Sequence, residues 1–207
     1  MNIAQNLNTT KKFLIKNGCK LIAVSKKHPE SSIQEAKKAG VCHFGESYIQ
    51  EVIQKSAVFT GVNLHFIGHL QSNKAKDAVQ HCQYIHSIDR MKLATTIEKA
   101  CVKLNKRIGG FVQINLTNEA SKGGVHPDDL EELVTYIQQH CPHIDLLGLM
   151  YIPPKGVNPD PLYKEVARLN QQHQFKELSM GMSGDYETAI KNGATYVRIG
   201  TAIFGQR

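Results

Sequence analysis

The chain has 207 residues, of which 41% are hydrophobic and 21% charged, as in ordinary folded domains. A (β/α)8 barrel usually needs about 250 residues and at least about 200, so a barrel of this length leaves no room for a second domain. No apolar run approaches the roughly 18 residues that span a bilayer, and residues 1–20 lack a signal-peptide core. We therefore expect a cytoplasmic, monomeric protein with one domain, residues 1–207, that does not bind membranes.

The cysteines and histidines do not suggest a metal site. The five cysteines are widely spaced, without a C-x-x-C pair, which favours reduced thiols over a disulfide framework or a zinc ribbon. His65 and His69 are four residues apart, but they fall on a predicted strand and its following loop rather than on one helix face. We therefore expect no zinc ion.

The net charge of +7 raises the alternative of nucleic-acid binding. However, the lysines are spread along the whole chain, and no basic run is interleaved with aromatic residues. We therefore expect no nucleic-acid partner, and favour a solvated basic surface that helps to attract an anionic small molecule.

Short apolar runs alternate with segments of helical periodicity along the chain. The first segment predicts a helix with Ile3, Leu7, Thr10 and Leu14 near one face and Gly18 as its stop. Strands are then predicted at 21–24, 41–44, 64–67, 84–86, 111–114, 146–149, 178–180 and 196–199.

Several of the intervening helices carry start signals. Ser32 and Glu35 form a capping box for a helix that ends near Gly40. Ser72 and Asp89 are candidate caps of later helices. Further helices begin at 127, where proline occupies the favoured first position, at 160 and at 185.

Strands that alternate with helices predict a parallel sheet. An open doubly wound sheet is the alternative to a barrel. Closure is favoured because no G-x-G-x-x-G follows the first strand, and because the most distinctive residues stand at strand C-terminal ends, where barrels build their sites. We therefore predict an α/β fold, a single (β/α)8 TIM barrel with an extra N-terminal helix.

Small residues follow the last two strands. Gly181, Ser183 and Gly184 precede a predicted helix, and Gly200 and Thr201 come after the final strand. Such residues let backbone N–H groups approach an anion, and the loops after strands seven and eight of a barrel often bind phosphate. Tight turns are the simpler explanation for one such loop, but two adjacent loops favour a phosphate site.

Lys26 follows the first strand. A lysine at the mouth of a barrel can be desolvated, which frees its amine to attack a carbonyl and form a Schiff base. Alternation places Ile22, Val24 and Lys26 on one face of the strand and Lys27 on the other, but it does not say which face is the interior. Spacing alone therefore leaves both lysines open.

A Schiff-base lysine opposite a phosphate site fits two ligand classes, namely a sugar phosphate, as in class I aldolases, and pyridoxal 5′-phosphate (PLP). Arg198 bears on the choice. Its guanidinium does not give up a proton, so beside the pyridine nitrogen it would keep that nitrogen unprotonated. The alternative is a structural ion pair with Asp185 or Glu187.

At these residues the sequence closely resembles the YggS/PROSC family, the pyridoxal phosphate homeostasis proteins. The matching stretches run in order across nearly the whole chain and are AVSK at 23–26, FGESY at 44–48, HFIGHLQSNK at 65–74, SKGG at 121–124, LMYIPP at 149–154, LSMGMSGD at 178–185 and VRIGTAIFG at 197–205.

The resemblance implies a barrel like the N-terminal domain of alanine racemase, with PLP as its cofactor. It implies an internal aldimine on Lys26, a pocket lined by His69 and Met180, and Arg198 near the pyridine nitrogen. The phosphate would be held by Ser183, Gly184, Gly200 and Thr201. At Ser47 the sequence departs from the family, which usually has Asn there, so the contact of that amide with the ring hydroxyl is lost or runs through water.

The resemblance also implies the function. The family is regarded as lacking a settled enzymatic activity, and its members look like carriers or buffers of PLP that influence vitamin B6 and amino-acid balance, with PLP-dependent apoenzymes as recipients. The alternative is a PLP enzyme such as a weak amino-acid racemase. Alanine racemase uses a tyrosine from a second domain of a partner subunit. We expect no such domain here, and we expect Tyr48 and Tyr151 to pack at the barrel mouth.

Overall fold

Eight parallel strands close into a barrel in which each strand pairs with the next one along the chain and the last pairs with the first. The computed structural model describes residues 3–117 and 123–206. The strands are β1 (Lys20–Val24), β2 (His43–Glu46), β3 (Asn63–Phe66), β4 (Tyr84–Ile88), β5 (Ile108–Gln113), β6 (Ile144–Met150), β7 (Glu177–Ser179) and β8 (Tyr196–Ile199). The predicted (β/α)8 TIM barrel is therefore confirmed.

The helices surround this barrel. They are α1 (Ile3–Lys16), α2 (Glu30–Lys38), α3 (Ile49–Gln54), α4 (Ala75–His81), α5 (Met91–Leu104), α6 (Pro127–His140), α7 (Asp160–Gln172), α8 (Tyr186–Lys191) and α9 (Thr201–Phe204). Helix α1 is the extra N-terminal helix, and its buried face consists of the predicted Ile3, Leu7, Thr10 and Leu14. Of the described helices, none combines the length and the apolar character that a membrane span requires.

Two predicted helix caps are wrong. Helix α2 begins at Glu30, so Ser32 lies inside its first turn, where its backbone N–H donates to the carbonyl of Pro29 at 3.1 Å. Helix α5 follows Arg90, and Asp89 pairs with the guanidinium of Arg90 instead of capping the helix. In both helices the N-cap position is occupied by an extended residue, Pro29 or Arg90, that makes no side-chain cap hydrogen bond.

The cap assigned to Ser72 is also wrong. Ser72 begins a 3-10 turn, and its Oγ accepts a hydrogen bond from Nη2 of Arg90 at 3.3 Å, while α4 starts only at Ala75. Pro127, in contrast, opens α6 as predicted.

The apolar core has two parts that identify the faces of the strands. The larger part contains Ala23 of β1 and fills the space between the barrel and the helices. The smaller part contains Ile22 of β1 together with Phe111 and Met150, and it fills the barrel itself. Because strand side chains alternate, Ile22 and every second residue after it face the barrel interior.

Candidate functional site

A cavity of about 260 Å³ opens at the carboxyl ends of the strands, where sites of TIM barrels lie. All of the predicted site residues except His69 and Met180 line it. The complete lining is Val24, Lys26, Ser47, Ile67, Ile152, Met182, Ser183, Gly184, Arg198, Gly200 and Thr201.

Lys26 lines this cavity because it continues the inward face of β1. Ile22 packs inside the barrel, so the alternation carries Lys26 to the mouth on the same side. Lys27 is exposed and left-handed, with φ of 62°, and its Nζ lies 5.8 Å from the centre of the Tyr48 ring. The structure therefore places Lys26, and not Lys27, in the cavity.

Two hydrogen bonds to glutamate side chains, one buried and one exposed, hold the backbone on both sides of Lys26. Ser25 Oγ donates to Oε1 of the fully buried Glu46 at 2.7 Å. On the other side, the backbone N–H of Lys27 donates to Oε2 of Glu51 at 2.7 Å, and Glu51 is itself paired with Lys55 at 2.5 Å. Together they fix the path of the chain through residue 26.

Glu46 is a buried carboxylate to which the sequence pattern assigns no role. Burial raises the pKa of Glu46 to about 7. Among the described residues, its Oε2 is buried without a hydrogen-bond partner, while Lys55 Nζ lies 3.7 Å from Oε1. The position of Glu46 inside the matched stretch at 44–48 was the available signal.

The loops after β7 and β8 meet at one end of the cavity. Gly181 has φ of 91°, and a Cβ there would lie 2.6 Å from Cβ of Ala189, so the turn requires glycine. Ser183 Oγ accepts from the backbone N–H of Ala202 at 3.4 Å and so links the two loops.

This end of the cavity offers unused backbone donors. Within the described ranges, no hydrogen bond engages the backbone N–H groups of Ser183, Gly184 and Thr201. A Cβ added at Gly184 would meet nothing within 4 Å, so the space beside this backbone is open. Such N–H groups suit an anion with several acceptor oxygens.

Arg198 projects from β8 into the barrel beneath the cavity. Its Nη1 donates to Ser179 Oγ and its Nη2 to the carbonyl of Tyr151, both at 2.8 Å. Burial lowers the pKa of Arg198 to about 10, which still leaves the guanidinium charged at neutral pH.

The alternative role of Arg198, a structural ion pair, has no support in the described part of the chain. Asp185 instead accepts from the Tyr163 hydroxyl at 2.9 Å and from the Met182 backbone N–H at 2.6 Å. No ion pair joins Arg198 to a carboxylate among residues 3–117 and 123–206. Its charge is therefore available to a ligand.

Two predicted residues lie away from this cavity. Met180 is fully buried in the core between barrel and helices, since it follows the inward-facing Ser179, and Met182 lines the cavity in its place. His69 is exposed and borders a neighbouring cavity of about 410 Å³, which also touches Lys26 and Ser47. The proposed contacts of Met180 and His69 with a cofactor remain predictions.

Two other sequence features are the possible metal ligands and the stretch at 121–124. The described ranges contain no group of three or more His, Cys, Asp or Glu side chains suited to a metal ion. The stretch at 121–124 lies partly outside the described residues, and only its Gly123 and Gly124 are placed.

Comparisons with known proteins agree with this geometry. The family model "Alanine racemase, N-terminal domain" matches residues 1–207. The pyridoxal phosphate homeostasis protein of Pseudomonas aeruginosa is 41% identical over 194 residues, which cover 90% of this chain and 84% of that protein. The chain belongs to the pyridoxal phosphate homeostasis protein family. The resemblance found in the sequence is thereby confirmed.

Other members of this family match equally well. The pyridoxal phosphate homeostasis protein of Escherichia coli K12 is 40% identical over 204 residues, with 90% of this chain and 85% of that protein covered. The structure of PipY from Synechococcus elongatus PCC7942, which has PLP bound, matches with a TM-score of 0.91 and 35% identity over 98% of this chain and 100% of PipY.

Alanine racemase of Clostridium difficile 630 shares the fold. Its structure matches with a TM-score of 0.82 over 100% of this chain and 57% of the racemase, at 15% identity. At that identity the match shows a common barrel and carries no inference about activity.

The raised pKa of Glu46 predicts a particular pH dependence of stability. Between the unfolded-state pKa, about 4.5, and the folded-state pKa, about 7, the folded chain binds more protons at this site than the unfolded chain. The contribution of Glu46 is therefore present at low pH and lost as the pH rises through 7. We expect wild type to lose about 1–3 kcal/mol relative to Glu46→Gln between pH 5 and pH 8.

Urea unfolding of both proteins at several pH values measures this difference. The Gln variant serves as the matched control because it keeps the size of the side chain and removes its titration. Two parallel stability curves would contradict a raised pKa at Glu46.

Proposed function

We propose that this chain binds PLP reversibly through a Schiff base on Lys26 and carries or buffers it, acting in vitamin B6 and amino-acid homeostasis. The observation that carries the proposal is that the Lys26 side chain and the unused N–H groups of Ser183, Gly184 and Thr201 border one cavity of about 260 Å³. The names of the curated relatives and the PLP-bound structure of PipY support the same ligand.

The residues of the cavity fit the chemical groups of PLP. PLP supplies an aldehyde, which an amine attacks with loss of one water molecule. Lys26 supplies that amine on one wall. The N–H groups of Ser183, Gly184 and Thr201, together with the hydroxyls of Ser183 and Thr201, would bind the phosphate, while Ser47 borders the cavity beside Lys26.

Arg198 favours binding over catalysis in this proposal. Its guanidinium remains charged at neutral pH and can donate to the pyridine nitrogen but cannot protonate it. An unprotonated ring withdraws electrons poorly, so amino-acid carbanions would gain little stabilisation. This suits a protein that holds PLP without turning over amino acids.

The arrangement of tyrosines also favours a carrier over the racemase alternative. No tyrosine is among the described residues that line the cavity of about 260 Å³, and Tyr48 borders the neighbouring cavity of about 410 Å³, which Lys26 also touches. Tyr151 is buried and packs edge-on against Tyr163, and Tyr48 is exposed beside Lys27. We therefore expect no conversion of L-alanine or L-serine to the D-form by the PLP-loaded protein. Conversion that Lys26→Ala abolishes would establish the racemase.

We further propose that PLP-dependent apoenzymes receive PLP from this protein. The open mouth of the cavity allows the release that such a transfer needs. Addition of the PLP-loaded protein to an apoenzyme should restore its activity, and loaded protein that never activates an apoenzyme would contradict the transfer.

Reductive trapping tests the assignment of Lys26. Purified protein mixed with PLP should absorb visible light, and borohydride followed by peptide mapping should place the label on residue 26. Lys26→Ala should lose both signals. Lys27→Ala is the matched control, because it removes the neighbouring exposed amine, and it should behave like wild type. A label found only on Lys27, or none at all, would refute the assignment.

A charge introduced at Gly184 tests the phosphate end. Because a Cβ at this position meets nothing within 4 Å, Gly184→Asp should fold and place a carboxylate among the phosphate donors. We expect the affinity for PLP to fall roughly tenfold or more through like-charge repulsion, while pyridoxal, which lacks the phosphate, binds as weakly as to wild type. Titrations followed by absorbance measure both.

Gly184→Ala provides the uncharged control and should bind PLP nearly as wild type does. Equal PLP affinity of the Asp and Ala variants would place the phosphate elsewhere.

A further inference from the structure

Three histidines form a continuous hydrogen-bonded chain inside the barrel. His43 of β2, His65 of β3 and His86 of β4 stand on successive strands. Nδ1 of His43 lies 2.9 Å from Nε2 of His65, and Nδ1 of His65 lies 2.8 Å from Nε2 of His86. Nδ1 of His86 then lies 3.0 Å from Ser179 Oγ, the atom that accepts from Arg198.

Aromatic neighbours hold the planes of these rings. The His65 ring stacks on Tyr84 with a centroid distance of 4.2 Å and an interplanar angle of 8°. The His86 ring stacks on Phe111 at 4.1 Å and 18°. Tyr196 packs close to edge-on against His86, at an interplanar angle of 90°. Rings packed in this way keep both nitrogens directed along the chain.

Burial keeps the three hydrogen-bonded histidines neutral. His65 and His86 are fully buried, which lowers the pKa of each well below its ordinary value. The positive charge of Arg198 lowers the pKa of His86 further. Burial also lowers the pKa of His43, although less strongly, at the far end of the chain beside Lys20.

Counting donors and acceptors determines the direction of the chain. Arg198 can only donate, so Ser179 Oγ accepts from it. A second donation, from His86 Nδ1, would leave the buried Ser179 proton without a partner among the described residues, so Ser179 donates this proton to His86 Nδ1. A neutral His86 then carries its proton on Nε2 and donates to His65, which in turn donates to His43. Each group between Arg198 and His43 thus accepts once and donates once.

We propose that Ser179 and His86, supported by His65 and His43, are positioning residues that set the orientation of the Arg198 guanidinium at the cofactor cavity. Because the Ser179 proton is committed to His86, Ser179 presents a lone pair to Arg198. Nη1 and Nη2 of Arg198 are thereby held by Ser179 and by the Tyr151 carbonyl, and the remaining N–H donors are left for a ligand. The role of these donors toward the ring nitrogen of PLP rests on the function proposed above.

The hydrogen-bonded chain of histidines also links the two ends of the barrel. His43 is half-buried and borders a cavity of about 280 Å³ on the face opposite the mouth, together with Lys20 and Cys42. Lys20 is itself paired with Glu177 at 2.7 Å and lies 3.3 Å from the Tyr196 hydroxyl. The orientation of Arg198 is therefore anchored by groups that extend across the whole interior.

Nitrogen NMR of the protein without PLP tests the chain directly. Two-bond ¹H–¹⁵N correlation spectra of [¹⁵N]histidine-labelled protein distinguish the two neutral tautomers and the charged ring. His65 and His86, assigned with His65→Gln and His86→Gln, should both be neutral and carry the proton on Nε2 at pH 7. A proton on Nδ1 of His86, or a charged His86, in the wild-type spectrum would overturn the proposal.

A pair of serine variants separates positioning from general packing. Ser179→Ala removes the donor to His86 and should change the tautomer signals of His86 and His65. Ser87→Ala is the matched control, because the Ser87 hydroxyl is also buried but has no partner among the described residues. Unchanged histidine signals in Ser179→Ala would contradict the proposed hydrogen bond from Ser179 to His86.

The same two serine variants show whether the histidine chain affects PLP binding. Ser179→Ala should weaken PLP binding about three- to tenfold, because it removes one hydrogen bond that orients Arg198 and does not itself contact PLP, and should shift the visible absorption maximum of bound PLP, while Ser87→Ala should change neither. Identical affinity and spectrum in both variants would refute the positioning role. Failure of wild type to bind PLP would instead refute the proposed function. The nitrogen spectra would still show whether the histidines form the proposed hydrogen-bonded chain.

Discussion

Closure of the parallel barrel sends every second side chain of each strand into a confined interior, and the position of Lys26 depends on this constraint. Ile22 packs inside the barrel while Ala23 packs against the helices. A shift of β1 by one residue would exchange these faces and carry Lys27 to the mouth. The apolar packing of Ile22 is therefore what selects one of two adjacent lysines.

The two ends of the cavity are held by independent polar networks. Ser25 and Glu46 hold the backbone next to Lys26. The histidine chain and Ser179 hold Arg198 from inside the barrel. Buried polar groups are costly unless they are paired. The bond of Glu46 Oε1 with Ser25 and the bonds of Ser179 with Arg198 and His86 specify the geometry beside Lys26 and beneath the cavity, while Oε2 of Glu46 has no partner among the described residues. Small residues then complete the site, since the loops that carry Ser183 and Thr201 leave backbone N–H groups uncovered.

Much of the fold followed from hydrophobic patterning. The alternation of apolar runs and helical segments predicted all eight strands and the extra helix, because both features depend on local periodicity. The helix caps predicted at Ser32 and Asp89 were wrong, because α2 begins two residues before Ser32 and Asp89 pairs with Arg90. Residue preferences alone do not show where a helix starts or which neighbour a carboxylate contacts.

The candidate site was predictable where a residue of distinctive chemistry closely follows a predicted strand, as Lys26 and Gly200 do. The histidine chain was not, because it depends on which strands become neighbours and which faces turn inward. Met180 and Met182 illustrate the same limit, since both flank a predicted strand end but only Met182 reaches the cavity. Glu46 was overlooked because its burial depends on residues distant in sequence from β2, such as Ser25 after β1 and Lys55 after α3.

We propose that one PLP molecule joins Lys26 to the loops after β7 and β8. A crystal structure of the protein grown with PLP would show this arrangement. We expect continuous density from Lys26 Nζ to the ring, with the phosphate beside Ser183, Gly184 and Thr201 and the ring nitrogen facing Arg198. Density that joins PLP to another lysine, or a phosphate bound away from these loops, would contradict it.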